Sequence, residues 1–344
     1  MLLVLTFFAC GGAEAPTAST PAATPTPPPP PPEVHGGFFV WYNPGKMVYQ
    51  SADGSAWKPV APLPSELDNW YNSFAADAAG RLYVIDMHRE LWTSGDDAKT
   101  WTKVVRAGTR PAGMDDASMF ICGGAANQLA AVSSAGRTFA STDAGQSWVE
   151  TGRLAPEGAS GSGGGFQGGC AFSADGKRLL AEGWYFDPAG AQLGVSADGG
   201  ATWTVQPRPE SNIATNGVGF VTGGIAYAHG GGYSQGAVSF LPDGGQAWTK
   251  SGEIRGAAGT EYAQQIAATD GANTVVVWQN PAKGASGGAP VPALAFVSHD
   301  AGHTFSEVKG PVAADPTPES SDEYLGMVWS NGKAPGPLPS PAAK

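Results

Sequence analysis

Short apolar runs separated by turn residues are the dominant pattern along this chain. The pattern is clearest in segments 73–80, 81–85, 90–93 and 101–105, where apolar residues are bounded by Asp, Gly or Ser. Runs of this length between turn signals predict β-strands, and no long window has the periodicity of an amphipathic helix. We therefore predict an all-β chain built from repeated four-stranded units.

An eight-residue motif, Ser-x-Asp-x-Gly-x-Ser/Thr-Trp/Phe, recurs along the chain. Complete copies occupy 141–148, 196–203 and 298–305, and degraded copies occupy 51–57, 94–101 and 241–248. The anchoring aspartates are spaced by 43, 47, 55, 45 and 57 residues, which is the length of one four-stranded propeller blade. These aspartates are Asp53, Asp96, Asp143, Asp198, Asp243 and Asp300.

The motif has a structural logic of its own. An Asp side chain accepts hydrogen bonds from nearby backbone N–H groups, and the Gly permits a left-handed conformation, so the segment predicts a tight hairpin turn. The aromatic residue that ends the motif is expected to be buried between neighbouring sheets. We therefore interpret the motif as scaffold, including its aromatic residues Trp101, Trp148, Trp203, Trp248 and Phe305.

This motif closely resembles the Asp-box, or bacterial neuraminidase repeat, of the sialidase-like β-propeller superfamily. In that family the Asp-box lies on the hairpin between the third and fourth strands of a blade, at the periphery and away from the active face. The resemblance covers residues from about 36 to 333. It implies a propeller fold but no particular function, because proteins that share this fold have many functions.

The end of the repeat region predicts how the ring closes. An Asp-Gly or Asn-Gly turn after a first strand recurs at Asp270-Gly271 and at Asn331-Gly332, while segments 38–42 and 47–50 supply later strands of a blade that lacks its first strand. We predict a six-bladed β-propeller over residues 36–333, with residues 323–333 pairing against residues 36–61. Such closure removes exposed sheet edges.

Both flanks of the repeat region have the composition of segments that do not form a core. Residues 1–10 resemble a bacterial lipoprotein signal whose Cys10 becomes lipidated, although a basic first region is missing and a truncated secretory signal is the alternative. Residues 11–35 predict a disordered Pro/Thr/Ala-rich tether, which at about 3.1 Å per residue reaches roughly 70 Å. Residues 334–344 form a Pro-rich tail. We expect a lipid-anchored location at the outer membrane or cell surface.

Composition narrows the classes of partner. The net charge of −11 and the pI near 4.8 argue against nucleic acid and against attraction to anionic lipid. The five histidines show no metal-ligand spacing. We predict no cofactor, no metal site and a monomer that contacts a membrane only through its lipid. Cys122 and Cys170 fall in first strands of adjacent blades, which leaves open a disulfide or two buried thiols.

The predicted ligand-binding face lies opposite the Asp-boxes, on loops between second and third strands and between blades. Aromatic residues beside charged ones suit a carbohydrate or a peptide, and the alternative is that these aromatic rings cap blade interfaces. The candidates are Trp70, Tyr71, Arg89, Trp184, Tyr185, Tyr233, Tyr262 and Trp278.

The resemblance to sialidases permits a direct test of catalysis. Related enzymes hold a carboxylate with three arginines, the first before the first Asp-box, but no arginine precedes Arg81 in this chain. Tyr324, Arg208 and Arg255 are the candidates if an enzyme nevertheless exists. We predict a binding module for a glycan or an envelope or extracellular protein, without catalysis. The alternatives are a divergent sialidase or other glycoside hydrolase, and an assembly or scaffold factor for an envelope complex.

Overall fold

A computed structural model describes most of the repeat region. Residues 1–33 lie wholly outside the described residues, and every described residue belongs to the unit 34–344. The described residues are 36–42, 46–67, 74–86, 88–105, 111, 114, 119–133, 136–154, 160–161, 169–187, 189–206, 215–231, 234–245, 247–254, 265–279, 294–309, 325–332 and 338.

In the described residues, twenty-five strands form six antiparallel sheets, each of which is one blade. Blade one contains β1 (Gly37–Tyr42), β2 (Met47–Ser51), β3 (Lys58–Pro62) and the final strand of the chain. Blade two contains β4 (Phe74–Ala76), β5 (Leu82–Ile85), β6 (Leu91–Ser94) and β7 (Thr102–Lys103). Blade three contains β8 (Met119–Gly123), β9 (Leu129–Ser133), β10 (Arg137–Ser141) and β11 (Val149–Arg153).

The remaining three blades follow in chain order. Blade four contains β12 (Ser160–Gly161), β13 (Gly169–Phe172), β14 (Leu179–Asp187), β15 (Ala189–Ser196) and β16 (Thr204–Gln206). Blade five contains β17 (Thr215–Val221), β18 (Gly224–Gly231), β19 (Ser234–Pro242) and β20 (Thr249–Ile254). Blade six contains β21 (Gln265–Thr269), β22 (Val275–Gln279), β23 (Leu294–Ser298) and β24 (Ser306–Lys309), and β25 (Leu325–Ser330) returns to blade one.

The structure is the predicted six-bladed β-propeller. The ring closes because β25 pairs antiparallel with β1, from Gly37 opposite Ser330 to Tyr42 opposite Leu325. The last strand of the chain therefore supplies the missing first strand of blade one. Residues 36–61 and 323–333 contain the strands that were predicted to pair, and the closing ladder lies within them.

Apolar clusters between neighbouring blades form the core. Phe39, Trp41 and Leu82 belong to the cluster between blades one and two. Further clusters lie between each of the remaining pairs of neighbouring blades. Both faces of a blade are therefore covered, which explains the continuous apolar run from Val275 to Trp278. The six first strands surround the axis of the ring.

Two sets of turns share one face of the propeller, because the strands of each blade alternate in direction. The first set joins first to second strands, and the second set is made of Asp-boxes between third and fourth strands. Backbone hydrogen bonds connect the sets: Ala144 N–H donates to Asn127 O at 2.8 Å in blade three, and Ala301 N–H donates to Asn273 O at 2.8 Å in blade six. We call this surface the Asp-box face, and the other end of the ring the opposite face.

Candidate functional site

The complete Asp-boxes satisfy their own polar groups. In blade six, Ser298 Oγ donates to Asp300 Oδ1 at 2.7 Å and accepts the N–H of Gly302 at 2.8 Å. Thr304 donates its N–H to Oδ1 at 2.8 Å and its hydroxyl to Oδ2 at 2.6 Å. The equivalent bonds form in blades two, three and four. Both carboxylate oxygens are thus engaged within the turn.

These hydrogen bonds also keep the aspartates ionised. The bonds from Thr202, and then from Ser196, lower the pKa of Asp198 to about 2. Burial acts to raise the pKa of Asp300, but the hydrogen bonds from Thr304 and Ser298 outweigh it and bring the pKa to about 2. Hydrogen bonding to the charged form is the general cause of such lowering. A group of this kind accepts structural hydrogen bonds and is a poor proton donor at neutral pH.

Each Asp-box also contacts the preceding blade. A Cβ on Gly145 would overlap Leu91 Cδ2 of blade two, and a Cβ on Gly54 would overlap Val276 of blade six. Both glycines have positive φ, at 83° and 84°. The Asp-box glycine therefore serves two needs, a left-handed backbone and close approach between blades. In blade two Ala98 takes the same place with φ of 65° and packs in the cluster shared with blade one.

The degraded Asp-box of blade five uses a different partner. Leu241 and Ala247 replace the two hydroxyl residues, and Asp243 instead accepts a hydrogen bond from Arg178 of blade four at 2.9 Å. The Arg178 guanidinium also lies 4.6 Å from the centre of the Phe220 ring. An interblade ion pair thus replaces the internal bonds of the motif. The sequence carries no signal for this pairing beyond the two missing hydroxyls.

A cavity of about 290 Å³ lies along the axis, inside the ring of first strands. Its wall is mainly small or apolar, with Ala75, Ile121, Phe172, Val218 and Met327 among the lining residues. Each first strand pairs with one neighbour only, so its other edge faces this space. Glycine allows neighbouring first strands to approach closely around the cavity. A Cβ on Gly123 would overlap Ala76 O of the adjacent first strand.

The most buried carboxylate at this cavity is committed to the scaffold. Asp77 Oδ1 accepts the N–H groups of Ala79 at 2.9 Å and Arg81 at 3.1 Å. Its Oδ2 accepts the Tyr83 hydroxyl at 2.9 Å and the N–H of Asn127 in blade three at 2.8 Å. Burial, and then the charge of Asp77, raise the pKa of Tyr83. Asp77 therefore joins two blades and has its four acceptor positions occupied.

Cys122 and Cys170 form a disulfide between the first strands of blades three and four. Of the two alternatives that the sequence leaves open, the structure contains the disulfide. It joins residues 48 positions apart, so the chain-entropy argument assigns it about 4 kcal/mol of stabilisation. The sulfurs pack beside Leu179 and Ala130 in the cluster between these blades.

A buried Tyr–Glu pair lies between blades four and five. Tyr227 donates its hydroxyl to Glu182 Oε1 at 2.6 Å, and both side chains are almost fully buried. Tyr227 also makes an edge contact with Trp248, with ring centres 5.5 Å apart. Glu182 and Tyr227 are 45 residues apart, the same spacing as Asp198 and Asp243, so the blade repeat was the signal that sequence analysis missed. Neither residue lines the axial cavity.

The predicted ligand-binding residues are placed only in part. Arg89 lies in the turn between β5 and β6, half-buried with φ of 62°. Trp278 packs between blades rather than on an exposed face, because it is fully buried with its ring centre 5.6 Å from that of Trp57. The backbones of Trp184 and Tyr185 belong to β14. Candidates outside the described residues are Trp70, Tyr71, Arg208, Tyr233, Arg255, Tyr262 and Tyr324.

Among the described residues, the hairpins of blades four and five project furthest at the opposite face. The hairpin of β14 and β15 stays paired up to Phe186 opposite Ala189, whereas β13 pairs with β14 only up to Glu182. The short strand β12 adds to the projecting part of β14. In blade five, β18 and β19 stay paired up to Gly231 opposite Ser234. The second and third strands of blade two contain four residues each.

Known proteins match this chain in fold. No protein-family profile and no curated protein matches it. Among solved structures, it is similar to a GH74 xyloglucanase from Xanthomonas campestris, with 14% identity, a TM-score of 0.49, and coverage of 81% of this chain and 46% of that one. The chain therefore spans less than half the length of the xyloglucanase.

Two structures of YCF48 are also similar. YCF48 bound to D1 peptide has 16% identity and a TM-score of 0.44, covering 80% of this chain and 77% of that one. YCF48 from Cyanidioschyzon merolae has 15% identity and a TM-score of 0.42, covering 82% and 87%. Similarity at this level supports no statement about activity, and the propeller architecture rests on the strand pairing described above.

Two further kinds of feature are absent from the described residues. These residues contain no group of His, Cys, Asp and Glu side chains arranged to hold a metal ion. They also contain no helix of the length and apolar character needed to cross a bilayer.

Proposed function

We propose that this protein is a lipid-anchored, extracytoplasmic binding module without catalysis, which recognises a glycan or an envelope or extracellular protein through its opposite face. The observation that carries this proposal is the unequal height of the blades. Within the part of the chain that the structure describes, blades four and five project furthest at this face, and they do so as paired hairpins.

Paired hairpins favour binding for a physical reason. A β-ladder holds its backbone in one conformation, so less entropy is lost when a ligand docks on it than when a free loop orders. The projecting part of β14 contains Trp184 and Tyr185, and their backbone partners across the hairpin are Ala191 and Gly190. Aromatic residues on a rigid support are typical of carbohydrate and peptide sites.

Two buried carboxylates among the described residues serve the scaffold rather than a site open to solvent. Glycoside hydrolysis needs an acid and a base or nucleophile beside an open site. The Glu182–Tyr227 pair is buried between blades, and Asp77 has four hydrogen-bond donors around it. These groups are occupied by the scaffold.

The proposal is tested on a glycan microarray with the full chain and two variants. Trp184→Ala/Tyr185→Ala changes the projecting hairpin, and Ala197→Ser changes an exposed position of the same blade on the Asp-box face. We expect the hairpin variant to lose at least about tenfold in affinity, the cost of removing a buried aromatic contact, and Ala197→Ser to bind as the parent does.

A fluorogenic sialoside tests the competing enzyme. The proposal expects no release of the fluorophore. Release that disappears in Tyr324→Phe would contradict it and favour the divergent sialidase. If the array stays blank, an envelope extract replaces it, and a protein ligand is expected to be retained by the parent and by Ala197→Ser but lost by the hairpin variant.

A further inference from the structure

The propeller begins and ends at one point of the Asp-box face. A Cβ on Gly36 would overlap the backbone of Gly332, so the two backbones cross in contact. Both glycines have positive φ, at 75° and 69°. Because β1 starts and β25 ends at this crossing, chain that precedes residue 36 joins the ring at the Asp-box face.

Side chains from two blades hold this entry point. Asp97 Oδ1 accepts the N–H of Gly36 at 3.2 Å, and Gln50 Nε2 donates to Gly36 O at 2.6 Å. Asp97 occupies the left-handed position after the motif aspartate, with φ of 56°, where Ala144 and Ala301 stand in blades three and six. The Asp-box of blade two therefore carries a carboxylate that its counterparts lack, and it uses this group to hold the start of the propeller.

The same face carries exposed negative charge. Asp53, Asp175, Asp198, Asp243 and Asp300 are exposed on its turns. Lys177 lies 3.9 Å from Asp175, and Arg178 pairs with Asp243. Asp53 and Asp198 have no basic residue within their own turns, whereas His299 and His303 flank Asp300. Attachment and charge are two independent properties of this face.

We propose that the Asp-box face is the end of the propeller that faces the membrane, because the tether joins the ring there, and that the negative charge of this face keeps it from settling on an anionic lipid surface. The inference rests on the lipid anchor of the proposed function. Charge repulsion acts within about 8 Å at physiological salt, a range that a tether reaching roughly 70 Å easily allows the face to enter. The repulsion therefore sets the closest approach, while the tether limits the farthest.

The test measures which face lies nearer the bilayer. The full chain is attached to liposomes that contain an acceptor dye in the lipid. A donor dye is placed through an azido residue either at Ala197 on the Asp-box face or at Glu66 in the turn between blades one and two on the opposite face. Both positions are exposed. The two faces are separated by at least the length of a six-residue strand, about 20 Å.

We expect energy transfer from Ala197 to be about twice that from Glu66, given this separation. On anionic liposomes, transfer from Ala197 should fall relative to neutral liposomes, and it should recover in about 1 M salt, where the screening length is about 3 Å. Equal transfer from the two positions, or stronger transfer from Glu66, would overturn the orientation. Equal transfer from Ala197 on neutral and anionic liposomes would overturn the electrostatic part.

Two attachment routes separate this inference from the lipid anchor itself. In one preparation the protein carries whatever lipid the producing cell adds, and in the other Cys10 is coupled to a maleimide lipid. Cys122 and Cys170 form a disulfide, so Cys10 is the thiol available for coupling. If only the coupled protein attaches and shows the expected orientation, natural lipidation fails while the orientation stands. If both attach without orientation, the inference fails alone.

Discussion

The strands of the propeller end differently at its two faces. On the Asp-box face, short turns satisfy their own polar groups, and the same hydrogen bonds from a Ser or Thr hydroxyl to the motif aspartate recur in blades two, three, four and six. On the opposite face, blades four and five continue as long hairpins while blade two stops after four residues. The repeated turns serve the scaffold. The hairpins that differ in length between blades lie in a region that the fold does not require.

Blade five shows what happens when the regular solution is lost. Its motif has no hydroxyl partners for Asp243, and Arg178 supplies a replacement from blade four. Asp243 therefore contributes a contact between blades four and five, although its own turn offers it no hydroxyl partner. This supports a structural role for the motif in general.

The largest expected effect is a difference in lost stability between replacing a buried Asp-box aspartate and replacing the exposed one of blade five. Asp143→Ala removes the acceptor for both hydroxyls and one N–H of its turn, and Asp143 is only 6% exposed. We expect a loss of about 2–3 kcal/mol in unfolding free energy from these unsatisfied groups. Asp243→Ala removes an exposed ion pair and should cost no more than about 1 kcal/mol. Urea unfolding measures both, and equal losses would contradict the distinction.

A smaller effect compares two Asp-box glycines. A Cβ on Gly145 meets Leu91 of the preceding blade, whereas a Cβ on Gly199 has nothing within 4 Å, although both residues have positive φ. Gly145→Ala should cost about 2 kcal/mol through overpacking and strain. Gly199→Ala isolates the backbone strain and should cost about 1 kcal/mol. The urea midpoints of the two variants give the difference, and identical midpoints would mean that the interblade contact contributes nothing.

The smallest effect is a pH dependence specific to the complete Asp-boxes. The pKa of Asp198 is about 2 in the folded chain, below its ordinary value of 3.8. A lowered folded pKa gives stability that is fully present above the ordinary pKa and is lost as pH falls towards the folded one. We expect the urea midpoint to fall between about pH 4 and pH 2 and to fall less steeply in Asp198→Asn. A slope unchanged by this substitution would contradict the assignment.

The sequence predicts the fold well because each blade repeats its turn chemistry. The Asn331-Gly332 turn predicts that the first strand of blade one comes from the C-terminal end of the repeat region. In the structure, β25 pairs with β1 and supplies this strand. The spacing of Cys122 and Cys170 by one blade placed them on adjacent first strands. Such local signals, taken with a known period, specify strand order.

Contacts between blades were harder to predict. The pairing of Arg178 with Asp243 depends on the reach of a long side chain across an interface, which no local pattern encodes. The sequence analysis predicts Trp278 on a binding face, although the run Val275–Val277 before it is typical of a strand covered on both sides. The height of blades four and five depends on how far each ladder continues through glycine-rich segments such as 230–232.

The most direct test asks which face meets a partner in the producing cell. A photoreactive phenylalanine analogue replaces Ala191 or Gln235 in the projecting hairpins, and Ala197 or Ala272 on the Asp-box face, in four separate full-length variants. After illumination, we expect crosslinked species from the two hairpin positions and only background from the two Asp-box positions. Crosslinks from Ala197 or Ala272 with none from Ala191 or Gln235 would contradict the assignment of the opposite face as the binding surface.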